Sequence, residues 1–323
     1  MSTQPDDDNP YDLLGDDHDE GHRWAFGTGF TDPLAGIDTD VPAGVDAGAL
    51  ARYCLALGDD ALIYSHRLQQ WVTRLPELEE ETALANIGLD LLGQARMLLA
   101  RAGTILGRTE DELAFFRDER EFRNVRLAEH ADRDFAQLVA RLLVFSAWRL
   151  ALFEELAGHG TGPGAPDQVL AAIAAKGVNE LAYHRDYAAQ WVVRLGDGTD
   201  LSHERMQDGL RAIWPLTGEL FRPDPDAFAV VTPGAVDAVL DTVLATAGLD
   251  RPAAAPLAPL APLAPVAPVA AGPNAHSGLL ERAQMRTWHA GGRAGRDGVH
   301  TEAMGYILAE LQSVARAHPD ATW

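Results

Sequence analysis

From residue 59 to residue 247 the chain consists almost wholly of helix-forming runs, and this leaves it few folds to choose from. The segments 59–74, 77–106, 132–157, 166–195, 202–221 and 233–247 are rich in Ala, Leu, Arg and Glu, and strand-like alternation of β-branched residues is absent. Start signals agree: Thr109 with Glu112 makes a capping box, Ser202 can cap its helix, and Thr232 before Pro233 reads as cap and first turn. A final helix is expected over 299–317, after the glycine-rich GGRAGRDG. Four long helices between residues 59 and 195 predict an all-α fold, a four-helix bundle with additional C-terminal helices.

Two segments break the pattern. Residues 1–47 hold twelve Asp or Glu against one Arg, a net of −11 out of −22 for the chain, and read as a disordered acidic arm. Residues 255–269 read APLAPLAPLAPVAPV; proline at every third position forbids helix and sheet and favours an extended polyproline spacer. The expected organisation is an arm at 1–47, a bundle at 48–249, an Ala/Pro-rich spacer at 250–275 and a C-terminal helical segment at 276–323 packing on the bundle. With 26 basic residues against 48 acidic ones, the chain lacks the basic face that nucleic-acid binding needs. Cys54 is the single cysteine, which excludes an intrachain disulfide and points to the cytoplasm. The absence of a run of about eighteen apolar residues, and the acidic start, argue against a membrane span or a secretory signal.

The chemistry is sought in polar residues on helices that read as buried. In 77–106 the middle is apolar on most sides (Leu84, Ile87, Leu89, Leu91, Leu92, Leu98), and its few polar residues, Asn86, Asp90 and Gln94, recur at every fourth position as one stripe. In 166–195 a second stripe runs through Lys176, Glu180, Tyr183 or His184, and Tyr187. Buried carboxylates need partners. Ferritin-like bundles supply them as two metal ions, held by a Glu from each of two helices and Glu-x-x-His from each of the other two. This chain contains no Glu-x-x-His; the histidine positions are filled by Gly93 after Asp90, and by Tyr183 after Glu180. The frame of a di-iron bundle is present without its ligands, and no catalytic, cofactor or metal residue is assigned. Of the 26 basic residues only Lys176 is lysine, one turn before Glu180. Its ammonium is expected to sit among Glu180 and Asp90 in place of the metal, where the broad fork of an arginine would not fit.

Other candidates read as structural. His66, His184 and His300 stand alone, Tyr183 reads as a packed bundle tyrosine, and Glu154 and Glu155 as solvated. The alternating charges of RDEREFRN (117–124) predict a solvated or interface face, and GTGPGAP (160–166) a loop. Phosphate-binding, dinucleotide-binding and nucleophile-elbow motifs are missing.

Longer strings carry a resemblance. LGDDALIYSHRLQQW (57–71), PELEEETALANIGLDLLGQARMLL (76–99), DELAFFRDEREFRN (111–124), ELAYHRDYAAQWVVRLGDGT (180–199), GRDGVHTEAMGYILAELQ (295–312) and the closing HPDATW resemble the family of phenylacetyl-CoA epoxidase C subunits over most of 50–249 and 285–323. The arm and spacer are not covered. The resemblance implies a ferritin-like bundle related to the catalytic oxygenase component, the A subunit of the same complex, but lacking its di-iron ligands. It implies a non-catalytic structural role, with a small bridging subunit, and a flavin/iron–sulfur reductase, as further partners. The complex epoxidises the ring of phenylacetyl-CoA using O2 and NADPH. Two other readings stay open: a metal protein with irregular ligands Asp90, Glu180, His184 and Glu154, and a stand-alone ferritin-like binding protein.

Overall fold

The helical runs become nine α-helices among the described residues, with no strand. The computed structural model describes residues 36–75, 77–160, 166–253, 295–319 and 321. Most of the acidic arm (1–35), most of the GTGPGAP loop (161–165) and nearly all of the Pro-rich segment (254–294) lie outside them. The helices are α1 (Ala47–Gln69), α2 (Leu78–Leu106), α3 (Glu110–Phe115), α4 (Arg126–Glu129), α5 (Phe135–Gly158), α6 (Gln168–Gly196), α7 (Asp200–Thr217), α8 (Pro233–Thr246) and α9 (Glu302–Ala317).

Helix α1 begins well before the predicted residue 59, because Asp46 accepts the Ala49 amide at 3.0 Å and caps it. The Thr109–Glu112 capping box forms as read. Ser202 is not a cap: Thr199 caps α7, and Ser202 completes a box with it from the third helical position.

Helix α1 lies along α2 and α5 along α6, while α2 also touches α6. Short connections join the members of each pair, and a long crossover over 107–134 joins the pairs, the connectivity of a ferritin-like bundle. Helices α7 and α8 pack on the α5–α6 side, and α9 on α1 and the crossover. Helix α5 is long and apolar enough to cross a membrane by composition, yet 89% of its apolar window is buried inside the bundle. It is the core helix, and Tyr64 of α1 meets its Phe145 edge-on at 4.5 Å between ring centres.

The crossover overturns the expectation for RDEREFRN. Arg117 is buried and bonds both oxygens of Asp59, which is fully buried on α1. The Arg123 amide adds a bond to Asp59 at 2.8 Å, and the Val125 amide one to Asp60 at 2.8 Å. Residues 118–120 face water instead. Charges that alternate in sequence are sorted by direction here, because the segment is irregular and two carboxylates on α1 wait for donors.

Asp60 and two further buried carboxylates, Glu129 and Glu219, receive the C-terminal segment. Arg296 bonds Asp60 at 2.6 and 3.0 Å, and the Gly295 amide bonds Glu219 at 2.6 Å. Glu129 takes His300 Nδ1 at 2.5 Å and both the amide and hydroxyl of Thr301 at 2.7 Å. A side chain at Gly295 would drive its Cβ into the Asn124 carbonyl, so only glycine lets the chain enter.

Candidate functional site

Helices α2 and α6 run antiparallel, and polar residues on their facing edges pair in rungs. Gln94 Nε2 donates to Glu180 Oε2 at 2.9 Å, and His184 Nε2 lies 3.0 Å from Asp90 Oδ2. Further along, Glu80 accepts from the Tyr187 hydroxyl and from Trp191 Nε1, the latter at 2.9 Å. The two i, i+4 pairs, Asp90/Gln94 and Glu180/His184, thus answer each other across the seam.

The centre of the bundle is completed by an arginine. Arg149 of α5, fully buried, donates from Nε to Gln94 Oε1 at 2.9 Å and from Nη2 to the Leu57 carbonyl of α1 at 3.2 Å. Its guanidinium stands over the Phe153 ring, 4.6 Å from the centroid. All four bundle helices meet in this one network. Burial pushes the guanidinium pKa down to about 10, against the pull of charges that include Asp60 and Glu180. Burial, with Asp90 nearby, holds the Glu180 carboxyl above its usual range, against the hydrogen bond from Gln94. Arg149 Nη1 and His184 Nδ1 are buried without a hydrogen-bond partner among the described residues.

The expected stripe therefore divides. Asp90, Gln94, Glu180 and His184 converge on the seam, while Asn86, Lys176 and Tyr183 are exposed. The reason is rotational: each i+4 step turns about 40° around a helix, so a stripe of fourth residues spirals from the core into water. Tyr183, 53% exposed, does not stand in a histidine's place in the core; the inward position after Glu180 is His184. Lys176 lies close enough to Glu180 to favour its ionised form, but it is exposed and makes no ion pair among the described residues. The cation inside the bundle is an arginine fork, the group that the expectation for Lys176 excludes. A signal exists in the sequence: Arg149 interrupts the apolar run LLVFSAWRLALF.

Gly93 is exceptional in another way. A Cβ there would meet nothing within 4 Å, so nothing in the described chain demands a glycine that costs about 1 kcal/mol against alanine in mid-helix. Of the lone histidines, His300 is buried against Glu129 and His66 pairs with Glu310 at 3.0 Å. Glu154 and Glu155 are exposed as read. A cavity of about 760 Å³ lies beside α1 and the 219–231 loop, with Leu57 of the network and Trp148 on its wall; Arg52 and Arg296 there are bonded to Asp226 and Asp60.

The donors at the bundle centre do not fit a di-iron pair. A guanidinium has no lone pair to offer, and Gln94 already spends both ends of its amide on Arg149 and Glu180. Among the described residues no group of three or more His, Cys, Asp or Glu is placed to hold a metal ion. Fold and site together define a ferritin-like four-helix bundle whose centre is closed by an Arg–Gln–Glu relay. The chain belongs to the phenylacetic acid catabolic protein family, whose model matches residues 37–250. It is 40% identical over 275 residues to the C subunit of the 1,2-phenylacetyl-CoA epoxidase of Escherichia coli (strain K12), covering 85% of this chain and 99% of that protein.

Proposed function

We propose that the chain is a non-catalytic structural subunit of a multicomponent di-iron monooxygenase that epoxidises the ring of phenylacetyl-CoA, and that it pairs with the catalytic subunit to stabilise it. The single observation that carries this reading is Arg149 at the bundle centre, bonded through Gln94 to Glu180. A fixed positive charge repels a metal ion, and the relay satisfies polar groups that ligands would otherwise leave unpaired. The name of the Escherichia coli relative supports membership in such a complex. On this reading the iron belongs to the catalytic A subunit, flavin and an iron–sulfur cluster belong to the reductase, and the assembly is completed by a small bridging subunit. This chain holds no cofactor and works in the cytoplasm, with no nucleic acid or membrane as partner. The single cysteine, Cys54, is buried and its thiol is pushed up by that burial, which suits a structural role.

The test is to purify the chain alone and with the catalytic subunit, to measure iron in each, and to measure oxygen consumption of each after adding the reductase, NADPH and phenylacetyl-CoA. The expected result is no stoichiometric iron and no oxygen uptake for the chain alone, with both appearing in the complex. About two irons in the isolated chain, the complement of a di-iron bundle, would overturn the reading. A metal protein using Asp90, Glu180, His184 and Glu154 gains nothing from the geometry, since Glu154 is exposed while His184 is sealed in the core.

A further inference from the structure

We infer that the C-terminal segment is held by a proton-dependent latch: His300 and Glu129 share one proton when the segment is seated and release it when the segment lifts. Both side chains are fully buried. The argument is a count of donors and acceptors. His300 Nε2 lies 3.1 Å from the Phe122 carbonyl, which can only accept, so Nε2 carries a proton. Nδ1 lies 2.5 Å from Glu129 Oε1. Two lone pairs repel at that distance, so a second proton lies between these atoms.

The rest of the carboxylate is already supplied. Oε1 also accepts from Asn124 Nδ2 at 3.0 Å, and Oε2 accepts from the Thr301 amide and hydroxyl at 2.7 Å each. Whether the shared proton is written on the ring or on the carboxyl, the seated pair holds one proton more than a carboxylate beside a neutral imidazole. Lifting the segment returns both groups to water, where an ordinary histidine is neutral above about pH 6.5 and a glutamate is ionised. Seating therefore takes up a proton at neutral and mildly alkaline pH. The latch is tightest in acid, and each unit of rising pH weakens it by up to about tenfold.

The other charges packed around the pair have partners that do not depend on this proton. From α1, Arg67 donates to the Glu129 carbonyl and to Gln70; from α4, Arg126 donates to Glu219. From the crossover, Arg123 donates to the Arg120 and Phe122 carbonyls. On the C-terminal side, Arg296 is bonded to Asp60, Asp297 lies 3.7 Å from Arg222, and Glu302 is exposed. One more histidine ties α9 to the bundle: His66 of α1 lies 3.0 Å from Glu310, whose side chain is 60% exposed. The latch governs more than two side chains. His300 and Thr301 directly precede α9, whose Met304, Ile307 and Leu308 are buried, so lifting them uncovers the sides of α1 and α3 on which α9 lies.

The experiment follows hydrogen exchange of the α9 amides from about pH 6 to about pH 8.5, corrected for the intrinsic rate, in a chain carrying His66→Gln to silence the second histidine. Protection of α9 should fall above about pH 6.5, by up to about tenfold per unit. Adding Glu129→Gln should remove that slope. A carboxamide can turn its NH2 toward a neutral Nδ1 and keep its oxygen for Thr301, and Asn124 Oδ1, buried without a partner among the described residues, can accept its other hydrogen. In the parent chain, ring nitrogen-15 spectra, with His300 assigned by difference against His300→Gln, should show a proton at both nitrogens at about pH 7. A His300 ring nitrogen with an open lone pair at that pH would overturn the inference, even if Glu129→Gln does not fold. So would α9 protection that ignores pH, or a slope that survives Glu129→Gln.

Discussion

Arg149 sits where water cannot reach, and its charge is answered through the Gln94 amide, with no carboxylate in ion-pair contact among the described residues. Buried charges of this kind are costly to orphan: removing one partner from a compensated set typically loses about 3 kcal/mol or more. Arg149→Met should lower the urea-derived stability by about 2 kcal/mol, because it leaves Gln94 Oε1 and the Leu57 carbonyl without their donor inside the core. Glu180 also sets a pH dependence. Its carboxyl is held above the usual range, chiefly by burial, so the folded state binds that proton more tightly than the unfolded state. The stability this contributes is present at acid pH and is lost as pH rises through the raised folded pKa. The melting temperature of Glu180→Gln relative to the parent should thus increase from pH 4 to pH 7; a flat or inverted difference would contradict the assignment. Lys176 is exposed, and Lys176→Met should shift stability by no more than about 0.5 kcal/mol.

At the scale of elements, the chain closes its fold with a short clip rather than with a long helix alone. Gly295, Arg296, His300 and Thr301 engage Glu219, Asp60 and Glu129, all three carboxylates buried, and α9 then lays Met304, Ile307 and Leu308 into the core. Gly295→Val should push the clip off the Asn124 carbonyl and leave Glu219 Oε1 without its amide donor, while Arg126 keeps Oε2, costing about 2 kcal/mol. Hydrogen exchange should show lost protection in α9 while α2 and α6 keep theirs. The helices themselves are legible because their periodicity is local: α2, α5, α6 and α8 start and stop within a few residues of their predicted bounds. The start of α1 escapes the sequence reading although Asp46 is there to cap it. The burial of RDEREFRN is hidden, because the acceptors for Arg117 and Arg123 lie on α1, far away in sequence.

Across the whole molecule, the α2–α6 pair shows two different edges: an inner one whose polar groups bond largely to one another, with Arg149 Nη1 and His184 Nδ1 left over, and an outward one with a glycine that the described chain's packing does not need. Its inner edge carries Gln94, Asp90, Glu180 and His184, and its outer edge carries Leu89, Gly93 and Tyr183. The all-α class, the four-helix bundle, the missing Glu-x-x-His pairs and the family are legible in the sequence alone, because helical period, ligand spacing and long matching strings are read along the chain; the pairing of the helices is not. Only the tertiary structure decided which member of each stripe points inward, and that the buried cation is Arg149 and not Lys176. The physical reason is that a stripe turns about 40° at every fourth residue, while burial depends on the neighbouring helices. Partners drawn from four helices fix where a charge can be held, and no single stretch of sequence contains all four.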